Sequence, residues 1–212
     1  MPTLVSNRRK FIFIHVPKTG GTSVTAALEP YENYYLPKKI LRWAIYRSLG
    51  RQGAPKLVDS LTYRHASALE MMKAVPDFAG YFSFGFVRNP WQILVSAYNY
   101  TRQAPMHPLY KELQGVDFPA YARKYPGQVQ QHLHLCDPTG RILVNFVGRF
   151  ENLQQDFQTI CSKIGLESEL PHKFPGEVET DSTNYRDYYD AETRDLVAQT
   201  HERDIEIFGY SF

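Results

Sequence analysis

Apolar residues along this chain gather in short blocks separated by glycine, proline and polar clusters. FIFIHV, residues 11–16, is short, apolar and rich in β-formers, which predicts a buried strand. Pro17 to Gly21 breaks it, and Thr22 and Ser23 offer caps for a helix that runs through Leu28 and ends at Pro30. Tyr81 to Val87 predicts a second strand, broken by Arg88-Asn89-Pro90. Trp91 to Tyr100 then predicts a helix with Leu94, Val95 and Tyr98 on one side, proline being tolerated at its start. Residues 142–147 (ILVNFV) predict a third strand, and Asn152 to Ile164 a helix ended by Gly165.

Further helices are predicted at Ile40 to Leu49, from around Tyr63–Ser67 to Pro76, and after Asp190. In the last of these Leu196, Val197, His201, Ile205 and Phe208 recur at helical spacing. The proline-rich stretch Thr101 to Thr139 reads as loops with one or two short helices, and Leu166 to Tyr189 as mostly loop. Strands alternating with helices predict an α/β fold, with a central parallel sheet flanked by helices on both faces. With the glycine loop after the first strand, the expected arrangement is P-loop-like and three-layered. No repeat or low-complexity tract interrupts the chain, so residues 1–212 read as a single domain.

Composition narrows the function. A chain of 212 residues, 43% hydrophobic and 22% charged, suits a globular protein with a substantial core. A net charge of +2 is too small to argue for a nucleic-acid partner, but leaves room for a local basic pocket. Cys136 and Cys161 are too few for a disulfide framework and form no Cys-x-x-Cys pair, so reduced thiols and no zinc are expected. No carboxylate cluster is placed to hold another metal. The apolar run after Arg8-Arg9-Lys10 is too short for a signal peptide, and no stretch reaches the length of a membrane span. The cytoplasm is the expected location.

The chemistry starts at HVPKTGGTS. A strand that turns through glycines into a helix presents unpaired amides and a partial positive charge, to which an anion can come close. Thr19, Thr22 and Ser23 add hydroxyls, and Lys18 adds a full charge. The stretch does not match G-x-x-x-x-G-K-[ST], because its lysine precedes the glycine pair. An anion loop is therefore expected, but not an ordinary ATP-binding one. Arg88 stands at the C-terminal end of the second strand, where open α/β sheets bind ligands, with Ser96 further along the following helix. A guanidinium suits a phosphate there, the alternative being a structural pairing with a carboxylate.

HVPKTGGTS taken together with FVRNPWQILVSAY resembles the two nucleotide motifs of the sulfotransferases that use 3′-phosphoadenosine 5′-phosphosulfate (PAPS). The nearest branch is the carbohydrate type, which includes heparan and chondroitin sulfotransferases and small bacterial relatives. VGRFENLQQDF and the terminal YYDAETRDLVAQTHERDIEIFGYSF are similar to that group as well. The resemblance implies that Lys18, Thr19, Gly20, Gly21, Thr22 and Ser23 contact the 5′-phosphosulfate end, and that Arg88 and Ser96 bind the 3′-phosphate. Lys18 would also stabilise charge on the departing 5′-phosphate. The product would be 3′-phosphoadenosine 5′-phosphate (PAP), and the acceptor a hydroxyl of a glycan or small molecule. One departure stands out: many relatives read Asp-Arg after the tryptophan, where this chain has Gln92-Ile93.

The acceptor hydroxyl needs a base, and histidine suits the task near neutral pH. On residue type alone His65, in YRHAS, is open to two roles, a base or a side chain that caps or packs. The resemblance implies the base. His15 reads as structural, His132 and His134 as possible acceptor-cleft residues, and His107 as a loop residue. Arg149 and Glu151 read as a structural ion pair. Ser182, Thr183, Tyr185 and Arg186 lie in a late loop that in relatives approaches the nucleotide. Two other classes compete: a P-loop-like nucleotide kinase, and a non-catalytic anion-binding module.

Overall fold

A computed structural model describes residues 3–32, 65–75, 77–171 and 182–212. Four strands form one sheet in the order β1 (Leu4–Ser6), β2 (Phe11–Ile14), β3 (Phe82–Val87) and β4 (Phe146–Arg149). β2, β3 and β4 are parallel, as predicted, but β1 is antiparallel to β2, so the sheet is mixed. The β1–β2 hairpin is absent from the sequence reading, because three residues before a run of exposed Asn7 to Lys10 give too little period to detect. Lys10 closes that turn with φ 53°.

β2 explains how the layers assemble. Its four residues alternate between faces. Phe11 and Phe13 join Phe84 and Phe86 of β3 on one face. There they pack on α1 (Gly21–Leu28) through Val24 and Leu28. On the same side lie Phe157, Ile160 and Ile164 of the Leu153–Ile164 helix. Ile12 and Ile14 point the other way, toward Met71 of α2 (Ala68–Ala74) and toward Leu135 and Phe208. A third cluster stands beside the sheet, where α3 (Pro90–Gln103) meets α4 (Phe118–Lys124) through Trp91, Leu94, Tyr98 and Tyr121. α5 (His132–Leu135), α6 (Leu153–Ile164), α7 (Ala191–Thr200) and α8 (Glu202–Phe208) complete the set described.

Several boundaries differ from expectation. α1 starts at Gly21 with Gly20 as its N-cap and no side-chain cap, so Thr22 and Ser23 belong to the first turn instead of preceding it. α2 begins only at Ala68, after a reciprocal Ser67–Glu70 capping box. The third strand is shifted: Ile142 makes only an isolated bridge to Cys136, and β4 starts after Asn145, whose side chain accepts from Ser83 N (2.8 Å). Gly148 lies in β4 because a Cβ there would fall 2.5 Å from the Phe86 ring. The last helix breaks at His201, whose ring turns into the core and bonds Asp204 and Pro126. The predicted helix at Ile40–Leu49 lies outside the described residues.

Candidate active site

The loop between β2 and α1 carries the first group of predicted residues. Lys18 has φ 66° and Gly20 φ 79°, both left-handed. Gly20 meets that demand at no steric cost, whereas a side chain would also strike Leu153 at 2.7 Å. Gly21 is required for a different reason: a Cβ there would lie 2.0 Å from His15 Nε2, so the glycine lets the histidine ring pack under the helix start. Thr19 is fully buried and donates its hydroxyl to Val16 O (2.9 Å). Its side chain therefore holds the turn and does not line the cleft. The first-turn amides at Gly21 and Thr22 are of the kind a helix leaves without an intrahelical acceptor.

α3 brings the second group. Asn89 caps it by accepting from Trp91 N (3.0 Å), and Pro90 takes the first helical position. Arg88, one residue before the cap, is 3% exposed. Its Nη1 donates to Lys18 O (3.4 Å) and its Nε to Gln92 Oε1 (3.3 Å). The guanidinium lies 3.9 Å over the Phe150 ring, while Nη2 is buried with no hydrogen-bond partner. Burial pulls Arg88 down to about 10, against the opposing fields of Glu151 and Tyr210. Gln92 thus offers Arg88 a neutral oxygen.

These residues meet in one cleft of about 760 Å³. The loop contributes Lys18, Gly20, Gly21, Thr22 and Ser23, and α3 with its cap contributes Arg88 and Ser96. His65 enters from the segment before α2. Lys18 Nζ rests 4.0 Å above the Tyr100 ring. No aspartate or glutamate lines the cleft among the described residues. Nor, among those residues, are three or more His, Cys, Asp or Glu grouped to hold a metal ion.

His65 has φ 53°, and its ring centroid is 4.6 Å from that of His15. Its Nδ1 lies 3.3 Å from His15 O. A carbonyl can only accept, so a neutral His65 carries its proton on Nδ1 and keeps Nε2 as the basic nitrogen. His134 sits behind it, not in the cleft. Its Nδ1 is buried without a partner, and burial followed by the field of His65 lowers its pKa from 6.5. The unfolded chain therefore protonates first as pH falls. Stability should be retained above about pH 6.5 and decline below it until the folded His134 is also protonated. Melting curves of wild type and His134→Gln between pH 7.5 and 5 test this; equal pH slopes in both would refute it.

Other predicted positions fall elsewhere. His132 is buried against Asp204 (Nδ1 to Oδ1, 2.7 Å), which makes it structural instead of an acceptor contact. Arg149 and Glu151 do not pair with each other. Arg149 Nη2 donates to Phe208 O, and Glu151 accepts from Asn89 N (2.8 Å) and Tyr210 OH (3.1 Å), so both secure the C-terminal segment. Tyr185 is buried in the third cluster, and Arg186 stacks over Tyr185 and Phe212. Ser182 and Thr183 open a 3₁₀ segment that runs to Tyr188. The cleft also takes in His107, from a stretch that reads as loop, and Phe150 and Gln128, which nothing in the sequence singles out.

A mixed sheet flanked by helices, with a glycine loop and a buried arginine meeting at the C-terminal ends of β2 and β3, defines an α/β protein with Lys18 and Arg88 in its cleft. Residues 1–211 match the Sulfotransferase family, and the chain belongs to it. It is accordingly a transferase of sulfuryl groups to hydroxyl acceptors. An uncharacterized protein of Archaeoglobus fulgidus is 32% identical over 97 residues, covering 44% of this chain and 75% of the relative. Among the described residues no helix is long and apolar enough to cross a membrane.

Proposed function

We propose that the cleft binds PAPS in a P-loop-like manner and that residues 1–212 act as one domain transferring its sulfuryl group to a carbohydrate hydroxyl. The observation that carries this is Arg88: a buried cation whose Nη1 donates to the carbonyl of the loop lysine at 3.4 Å while its Nη2 has no partner. Two separate anion-binding elements side by side suit a nucleotide charged at both its 3′ and 5′ ends. When bound, PAPS supplies the sulfuryl group, which leaves the 5′-phosphate oxygen as the acceptor oxygen bonds to sulfur. Helix-start amides and Lys18 then stabilise the charge gathering on that phosphate. His65 Nε2 takes the proton from the acceptor hydroxyl. Arg88 and Ser96 hold the 3′-phosphate, and Thr22 and Ser23 add hydroxyl donors at the 5′ end.

The acceptor reading rests on the resemblance and on the character of the cleft. Beside Tyr100, His107 and Gln128 offer polar partners to a sugar hydroxyl. The free thiols Cys136 and Cys161 suit a reducing cytoplasm. Calorimetric titration with PAP, ADP and ATP tests the donor class. Clear preference for PAP is expected, and equal or stronger binding of ATP would replace the reading with a kinase-like one.

A further inference from the structure

We propose that Gln131 is the positioning residue that sets Arg88 for a 3′-phosphate, and that Asp204 holds Gln131 in place. The inference rests on the reading of Arg88 given above. Arg88 lies one residue beyond β3, past the last ladder pairs Ile14↔Gly85 and Val87↔Arg149. Its backbone N–H and C=O thus leave the sheet while still buried, and each needs a partner. Gln131, 0% exposed, supplies both. Its Oε1 accepts from Arg88 N at 2.7 Å, and its Nε2 donates to Arg88 O at 2.8 Å. One side-chain amide thereby replaces a neighbouring strand for a single residue.

The bond lengths show where Arg88 is fixed. On the guanidinium the bonds are long, 3.3 and 3.4 Å, and both go to neutral oxygens. On the backbone they are short. The clamp therefore fixes the backbone from which the side chain reaches into the cleft, while the stack on Phe150 sets the plane of the guanidinium. Gln131 is secured in turn at its backbone, where its N–H donates to Asp204 Oδ2 at 2.9 Å. Asp204 is fully buried, and it also accepts from His132 N (2.8 Å), His132 Nδ1 (2.7 Å) and His201 Nδ1 (3.2 Å). The last helix is thereby tied to the cleft through one carboxylate and one amide. An arginine misplaced by about 1 Å loses much of its value, since such shifts can cost on the order of 10²-fold.

The test compares PAP with adenosine 5′-phosphate, which lacks only the 3′-phosphate. Affinities are measured by titration calorimetry for wild type, Gln131→Met and Asp204→Asn, with a melting curve for each. Wild type should prefer PAP. In Gln131→Met that preference should shrink by roughly tenfold or more, the worth of one charge-assisted bond from a displaced guanidinium to the phosphate, while affinity for adenosine 5′-phosphate stays put. Asp204→Asn should shift the same ratio less. Should Gln131→Met not fold, Gln131→Asn decides by the same ratio, because the amide one methylene shorter stays neutral but cannot reach both the Arg88 N–H and the Arg88 carbonyl. A wild type without preference for PAP overturns the reading of the site and this inference with it. A preference present in wild type and intact in the variants, or a fall in both affinities together, overturns the inference alone.

Discussion

Replacing Lys18 by Met should slow sulfuryl transfer by about 10²–10³-fold, while affinity for PAP falls by no more than about tenfold. The asymmetry follows from where the charge appears. In the proposed complex the nucleotide already has the helix-start amides and Arg88 as partners, but the leaving phosphate oxygen gains its charge only during the reaction. A full positive charge beside it acts mostly at that moment. The left-handed backbone at Lys18 and the 4.0 Å contact with Tyr100 place the ammonium within the cleft before any ligand arrives. Single-turnover rates with saturating PAPS measure the effect. A variant within about threefold of wild type would show that the amides carry the charge alone.

Substituting His65 by Asn should cost about 10²-fold or more in turnover and leave PAP binding unchanged. Asparagine is chosen because it tolerates left-handed φ, the region in which His65 stands at 53°. Alanine would add backbone strain to the loss of the base. The substitution removes the nitrogen proposed to take the acceptor proton and touches neither proposed nucleotide anchor. Exogenous imidazole should restore part of the rate. Full activity in the variant would make His65 a packing residue beside His15, and a wild type that binds PAP but transfers to no hydroxyl would favour the binding-module reading.

Much of the candidate cleft is legible in the sequence because its signals are local. The run from Phe11 to Ile14, the two glycines and the lysine sit within a dozen residues, and each carries its own stereochemical meaning. Asn89-Pro90 announces a helix start in the same way. The arginine clamp is different. Gln131 is 43 residues from Arg88, and Asp204 is 73 from Gln131, so no spacing rule links them. In QHLHLC the histidines drew attention, yet the residue that reaches the cleft's arginine is the glutamine before them. β1 was missed for want of length, and the break at His201 because its cause is a tertiary contact with Asp204 and Pro126. His107 had no pattern to recommend it and reaches the cleft only through the path of the chain after α3.

The unpartnered nitrogen of Arg88 has a kinetic corollary. In the proposed complex it grips the end of the nucleotide that sulfuryl transfer leaves unaltered. Donor and spent carrier then present the same handle to Arg88, which cannot tell them apart once the sulfur has moved. Turnover would be paced by departure of the used carrier, and its accumulation would silence the enzyme.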